Sequence, residues 1–356
     1  MGFRRADSFA DTYGGFIAEL RLSAIAGHRR VKALLARGVA RSALPPTMLF
    51  TGPHGVGKTL VARATAAAVN CLSPLPAADD LPLDACGVCR SCERIARGVH
   101  VDVIQVEADD RASIKIDVIR DVLERTAYRP FEGRRRVVIV RDADALEPAA
   151  QNALLKSLEE PPPGTIFILT TAVPGALLPT VRSRCMPLAF GRLQEAEVAE
   201  ILVRDLGFAA ADARAAAALA DGSIGQALAL GSSDLALLRE IAVQLLRQAG
   251  STTAVAARLR AAATMVGSGK SERTREELRL ILRFVSSMLR DIELLKAAGD
   301  VRTLANPTAA GELAALTRWF GAERARSAFG VVDRAMAALG RNAGTKVVAE
   351  WVATQI

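Results

Sequence analysis

Three groups of residues in this sequence have types and spacing suited to chemistry. Gly52 to Thr59 reads GPHGVGKT, a match to G-x-x-x-x-G-K-[ST] set between an apolar run and a helix-forming run. Gly52, Gly55 and Gly57 let backbone N–H groups turn inward around a phosphate. Lys58 can neutralise β and γ oxygens, and the Thr59 hydroxyl can ligate magnesium at a helix N-terminus. A glycine turn without ligand is the plain alternative, but strand, loop, lysine, hydroxyl and helix in that order favour a nucleotide. The second group is Cys71, Cys86, Cys89 and Cys92, spaced C-x14-C-x2-C-x2-C. Four thiolates at this spacing suit tetrahedral Zn²⁺ with no open position, hence a structural site. A disulfide or redox pair is the alternative, disfavoured in a reducing compartment.

The third group bears on hydrolysis, which needs a strand presenting one acid to magnesium and another to water. The candidate is Val137 to Leu146, VVIVRDADAL, whose four apolar residues put Arg141 at the magnesium position and Asp142 at the water-polarising one. At about 6 Å and an effective dielectric of ~20, a guanidinium facing Mg²⁺ costs on the order of 5 kcal/mol unless it swings away. Sliding the strand by one residue would install Asp142 as the magnesium acid, but it would also reverse which side chains face each side. A complete phosphate loop therefore stands beside a defective metal strand.

The elements that must position these groups follow from the apolar runs. Thr47 to Thr51, Val101 to Val106, Val137 to Val140 and Ile166 to Thr171 alternate with helical stretches such as Lys58 to Asn70. Short unbroken apolar runs of this kind indicate a parallel sheet covered on both faces, an α/β architecture. Beyond about residue 190 the runs stop, and Ala-, Leu- and Arg-rich helical patterns continue. In the clearest of them Leu278, Ile281, Val285, Met288, Ile292 and Leu295 form a stripe for packing on other helices, either within a bundle or on a coiled-coil partner. Thr274 with Glu277 reads as a capping box at its start, and Gly299 as its end.

At 356 residues, 51% hydrophobic and 24% charged, the chain has material for two or three packed domains, and 4% aromatic content with frequent alanine suits helices. No apolar run reaches the roughly 18 residues of a membrane span, and no secretory signal opens the chain, so the expected location is the cytoplasm. The 46 basic against 38 acidic residues give +8, weak evidence for nucleic acid. Arg134, Arg135 and Arg136 read as a solvated turn rather than a binding patch. Cys185 reads as a small packed residue, and His28, His54 and His100 lack ligand-like spacing.

Gln151 to Cys185, QNALLKSLEEPPPGTIFILTTAVPGALLPTVRSRC, is specific, and with GPHGVGKT it resembles the bacterial clamp-loader branch of the AAA+ ATPases over about residues 20 to 235. The resemblance is to the delta-prime subunits, whose relatives gamma and tau hydrolyse ATP to place a sliding clamp on DNA. It implies an α/β AAA+ P-loop core at 1–190 with a zinc module at about 71–92, a helical lid at 191–235, and an all-α collar for oligomerisation at 236–356. It implies Zn²⁺, and ATP with Mg²⁺ at the loop. The implied partners are gamma/tau and delta subunits in a hetero-pentameric ring, and, through it, the sliding clamp and primed DNA.

Two departures set the chain apart from the motors. Their metal strand ends in Asp-Glu where this one has Arg141-Asp142, and their lid carries an arginine in G-S-x-R-D-A-L where GSIGQAL here has Gly225. The family points the arginine of Ser183-Arg184-Cys185 into a neighbour's nucleotide site, so Arg184 becomes the expected finger in trans; an ordinary surface salt bridge is its alternative. Thr171 stands where the family has a polar residue near the γ-phosphate, or is only the end of a strand. Turnover by the lone chain is expected near background. The competing readings are an active motor subunit of the same family, with Asp142 rescuing the metal, and a zinc-dependent nucleic-acid module.

Overall fold

The computed structural model describes residues 20–76, 82–108, 113–231, 235–251, 254–267, 275–297, 304–340 and 343–356. The capping residue Thr274 and the terminating Gly299 lie outside these. Contacts group the chain into two compact units, one running through Glu197 and including Gly222–Gly225, the other formed by Val198–Asp221 with Gln226–Ile356.

The first unit is built on five strands, β1 (Thr47–Thr51), β2 (Val103–Val106), β3 (Arg136–Val140), β4 (Thr165–Thr171) and β5 (Met186–Ala189), in the order β2-β3-β4-β1-β5 with every neighbouring pair parallel. Around them in sequence run α1 (Arg29–Ala40), α2 (Lys58–Asn70), α3 (Arg90–Ala96), α4 (Ile116–Thr126), α5 (Pro148–Glu159) and α6 (Pro179–Arg182). Alternate residues along each inner strand feed two cores. Met48, Phe50, Val137 and Ile139 pack with Val61 and Ala64 of α2 on one side, and Leu49, Val138, Val140 and Phe167 pack with Leu154 of α5 on the other. Burial on both faces is why these strands read as continuous apolar runs. The buried alanines of α2, Ala62, Ala64, Ala66, Ala67 and Ala68, leave no bulk between that helix and its neighbours.

Two expectations need correction. The edge strand β5, MPLA, went unread because only its Leu188 is buried and a proline interrupts it, which only an edge tolerates. Arg136 is not part of a solvated turn. It opens β3 with 6% exposure, and its Nη2 donates to Asp102 at 3.0 Å. Asp102, fully buried, also accepts the N–H groups of Phe131, Glu132 and Gly133 at 2.9, 2.8 and 2.8 Å. Burial alone would raise the Asp102 carboxyl, but those three amides and Arg136 outweigh it and hold the group below the usual carboxylate range. The pair staples the turn before β3 to the start of β2.

The second unit is helical among its described residues: α7 (Glu195–Leu206) and α9 (Ile224–Gly231), each shared with the first unit, with α8 (Ala210–Leu219), α10 (Leu235–Ser251), α11 (Val255–Val266), α12 (Arg275–Lys296), α13 (Ala310–Leu316), α14 (Ala322–Gly340) and α15 (Thr345–Gln355). The α12 stripe is spent inside this unit. Leu278, Ile281, Val285, Met288 and Ile292 are buried and Leu295 is half-buried, with α10 and α14 packed alongside. That is the bundle-core use of the pattern.

Candidate functional site

The phosphate loop leaves the C-terminal end of β1, and α2 begins at Lys58 with Gly57 as its N-cap. Gly52, Gly55 and Gly57 have φ of 146, 72 and 101°, where an L side chain is strained. A Cβ at Gly52 would also stand 2.3 Å from the Phe190 carbonyl oxygen. The His28 Nε2–H donates to the Val56 carbonyl in the loop at 2.7 Å, and burial pushes that ring's pKa down, opposed by this bond. Lys58 Nζ donates to the Gly52 and Pro53 carbonyls, each at 2.6 Å. Burial lowers its pKa, opposed by the charges of Asp142 and Asp144. Thr59 follows at the second position of α2, half-buried.

Because β4 lies between β1 and β3, its last residues join the loop to the strand expected to hold metal. The Gly52 N–H donates to the Thr171 carbonyl at 3.2 Å, and the Thr170 hydroxyl accepts the Asp142 N–H at 3.2 Å. Arg141 has turned aside: its Nη1 meets Glu107, just past β2, at 2.6 Å. Asp142 adopts the left-handed conformation with φ 44°, its carboxylate 3.8 Å from His54 Nδ1 in the loop. The Thr171 hydroxyl donates to Asp144 at 2.5 Å. Gly225 meets the loop as well, its N–H donating to the Gly55 carbonyl at 3.0 Å; a Cβ there would lie 3.0 Å from the Gly55 Cα.

The four cysteines converge. The Sγ atoms of Cys71, Cys86, Cys89 and Cys92 all lie within 4.8 Å of one another. Backbone N–H groups already point at sulfur, Cys86 to Cys71 at 3.2 Å and Cys89 to Cys86 at 3.3 Å. Burial raises the Cys71 and Cys92 thiols. At Cys89 burial works the same way, but the N–H groups of Cys92 and Leu72 outweigh it and bring the thiol down to about 6. Four sulfurs gathered around one point and supplied with amide donors fit a tetrahedral Zn²⁺.

Arg184 sits elsewhere. Its carbonyl accepts the Thr47 hydroxyl at 2.7 Å, at the first residue of β1, whereas the phosphate loop follows the last. Five residues of strand separate those ends by about 16 Å, at roughly 3.3 Å per residue. The guanidinium is held by Glu159, at 2.9 Å from Nε and 2.8 Å from Nη2, and by the Thr180 carbonyl at 3.1 Å from Nη1. Next to it Cys185 is buried, its thiol pushed up to about 11 by desolvation.

Residues 27–194 match the family described as DNA polymerase III, delta subunit. The chain is also similar to curated replication proteins. "DNA polymerase III subunit tau" of Salmonella typhimurium is 35% identical over 217 residues, 60% of this chain and 33% of that protein. The protein of the same name from Escherichia coli is 37% identical over 162 residues, 46% and 24%. "DNA polymerase III subunit delta'" of Pseudomonas aeruginosa is 38% identical over 142 residues, 40% and 42%. The chain is thus similar, over about half its length, to part of several DNA polymerase III subunits. Its alignments span less than half the length of each of these relatives.

In this region the glycines of the loop, Lys58, Asp142 and Thr171 gather at the carboxyl ends of β1, β3 and β4, and Arg184 lies at the opposite end of β1. Sequence reasoning passed over Glu107, His54 and Asp144 at the first end, and Glu159 and Thr47 at the second. A signal existed for Glu107, since an acid directly after a buried strand in an α/β sheet stands where ligands bind. Asp144 carried only its place two residues after Asp142.

Proposed function

We propose that this chain is a delta-prime-like subunit of the DNA polymerase III clamp loader, one that does not itself turn over ATP and presents Arg184 to phosphates held by a neighbouring subunit. The observation that carries the reading is the placement of Arg184 at the end of β1 remote from the chain's own phosphate loop. A guanidinium presented there serves another molecule's nucleotide, where it would spread over the charge that develops in phosphoryl transfer. The pairing of Arg141 with Glu107 and the glycine at 225 support the second half of the reading. A cation stands where the motors have an acid, and the lid position has no side chain to reach a phosphate.

Gly52, Gly55, Gly57, Lys58 and Thr59 would hold nucleotide phosphates and Mg²⁺. Lys58 would give up its bonds to the Gly52 and Pro53 carbonyls to do so, and Asp142 and Thr171 would face the γ position. Cys71, Cys86, Cys89 and Cys92 would hold a structural Zn²⁺ within the 71–92 module. We assign 1–190 to the core, 191–235 to a lid and 236–356 to a collar that joins gamma/tau and delta subunits in a hetero-pentameric ring acting in the cytoplasm on the sliding clamp and primed DNA.

The test is steady-state ATP turnover by the lone chain and by the reconstituted complex. The lone chain should stay near background, and Arg184→Ala should lower turnover and clamp loading of a complex that still assembles. Fingers are worth about 10³ to 10⁵ at a single site, and less in a ring whose other sites still turn over. Brisk magnesium-dependent hydrolysis by the lone chain, abolished by Lys58→Ala, would instead establish a motor.

A further inference from the structure

We infer that Glu159 is a positioning residue for Arg184, setting the direction in which the guanidinium meets an oxyanion brought by a neighbouring chain; this rests on reading Arg184 as a finger in trans. The backbone under Arg184 is fixed independently of its side chain. The Thr47 hydroxyl holds its carbonyl, its own N–H donates to the Val181 carbonyl at 3.2 Å, and Val181 and Cys185 on either side are buried. The long side chain on that base has several rotatable bonds, and left alone it would sample many directions.

Glu159 removes that freedom. It is the last residue of α5, where a carboxylate faces unpaired helix carbonyls and is disfavoured unless a cation lies beside it. The cation is Arg184, whose Nε and Nη2 both reach the single oxygen Oε2. With the bond from Nη1 to the Thr180 carbonyl, three of the five guanidinium N–H groups are engaged. The two that remain lie one on each Nη, and the side chain keeps 32% of its surface exposed. Glu159 therefore grips Arg184 without enclosing it. A planar fork held in one orientation binds two oxygens with little further ordering, which is where pre-organisation raises a rate.

The pair is also too exposed to matter much for folding, since 60% of the Glu159 side chain is accessible. That separates its proposed role from a structural one. In complexes reconstituted from the full chain with motor subunits, Glu159→Gln should lower kcat for ATP about two- to fivefold, the population change that loss of an exposed ion pair produces. KM for ATP should stay within about twofold, and the thermal midpoint of the isolated chain should not move. Arg184→Ala should lower kcat further, and adding Glu159→Gln to it should change nothing more, because a positioning residue has no effect once its ward is gone. Wild-type kcat in Glu159→Gln beside a lowered kcat in Arg184→Ala overturns the positioning role and leaves the finger standing, as does an additive double variant. Wild-type kcat in Arg184→Ala overturns both.

Discussion

Asp102→Asn should be among the most damaging single-atom exchanges in the sheet unit. The carboxylate is fully buried and accepts three backbone N–H groups as well as Arg136, itself only 6% exposed. The amide keeps the shape but carries no charge, so Arg136 is left as a buried cation with carbonyl partners only, and the new NH₂ faces N–H groups that need an acceptor. Breaking a buried pair in this way costs about 3–5 kcal/mol. At about 2–4 °C per kcal/mol for a unit of this size, the midpoint of the sheet unit should fall by roughly 6–20 °C. The native carboxyl is held below its usual range. Its contribution is therefore present above the ordinary carboxyl pKa near 3.8 and is lost as pH falls through the lower folded value. Thermal and urea melts of both chains, with hydrogen exchange at the β3 amides, should show a gap that is wide at neutral pH and closes in acid. A loss under about 1 kcal/mol, or a gap that does not change with pH, would refute the staple.

Metal analysis of the purified chain should find about one zinc, lost in Cys89→Ser, with exchange rising across the described parts of 74–98 while the sheet stays folded. Zinc-free protein with freely titrating thiols at all four positions contradicts the site. Gly225→Ala places a Cβ 3.0 Å from the Gly55 Cα, so it should cost about 1–3 kcal/mol locally and speed exchange of the amide at 225; unchanged exchange would show that the close approach is not made in solution.

How far the sequence carried depended on whether a feature is local. β1 and α2 were read at their observed limits, since a run of apolar residues, a glycine loop and a helix-forming stretch each declare themselves within a few positions. β2 starts at Val103 rather than Val101, because the chain turns first, the Val103 N–H donating to the His100 carbonyl at 3.1 Å. Arg136 looked like solvated loop because the carboxylate that makes its burial tolerable lies 34 positions earlier. Arg141 swings to Glu107 across an equal distance, and Arg184 to Glu159 across 25 positions. Ion pairs closed by tertiary folding leave no periodicity to read. The glycines of the loop did, because each is imposed by its own backbone angle.

On the proposed reading, a strand that carries a socket for phosphate at one end and a prong for a neighbour's phosphate at the other gives the molecule a heading. Units of this kind can join only nose to tail, and such a queue has no intrinsic last member. On the proposed reading, a chain whose prong works and whose socket is idle supplies that end: it completes the neighbour ahead and makes no demand on the one behind. Loss of hydrolysis would then act as punctuation, setting where a directional array of engines starts.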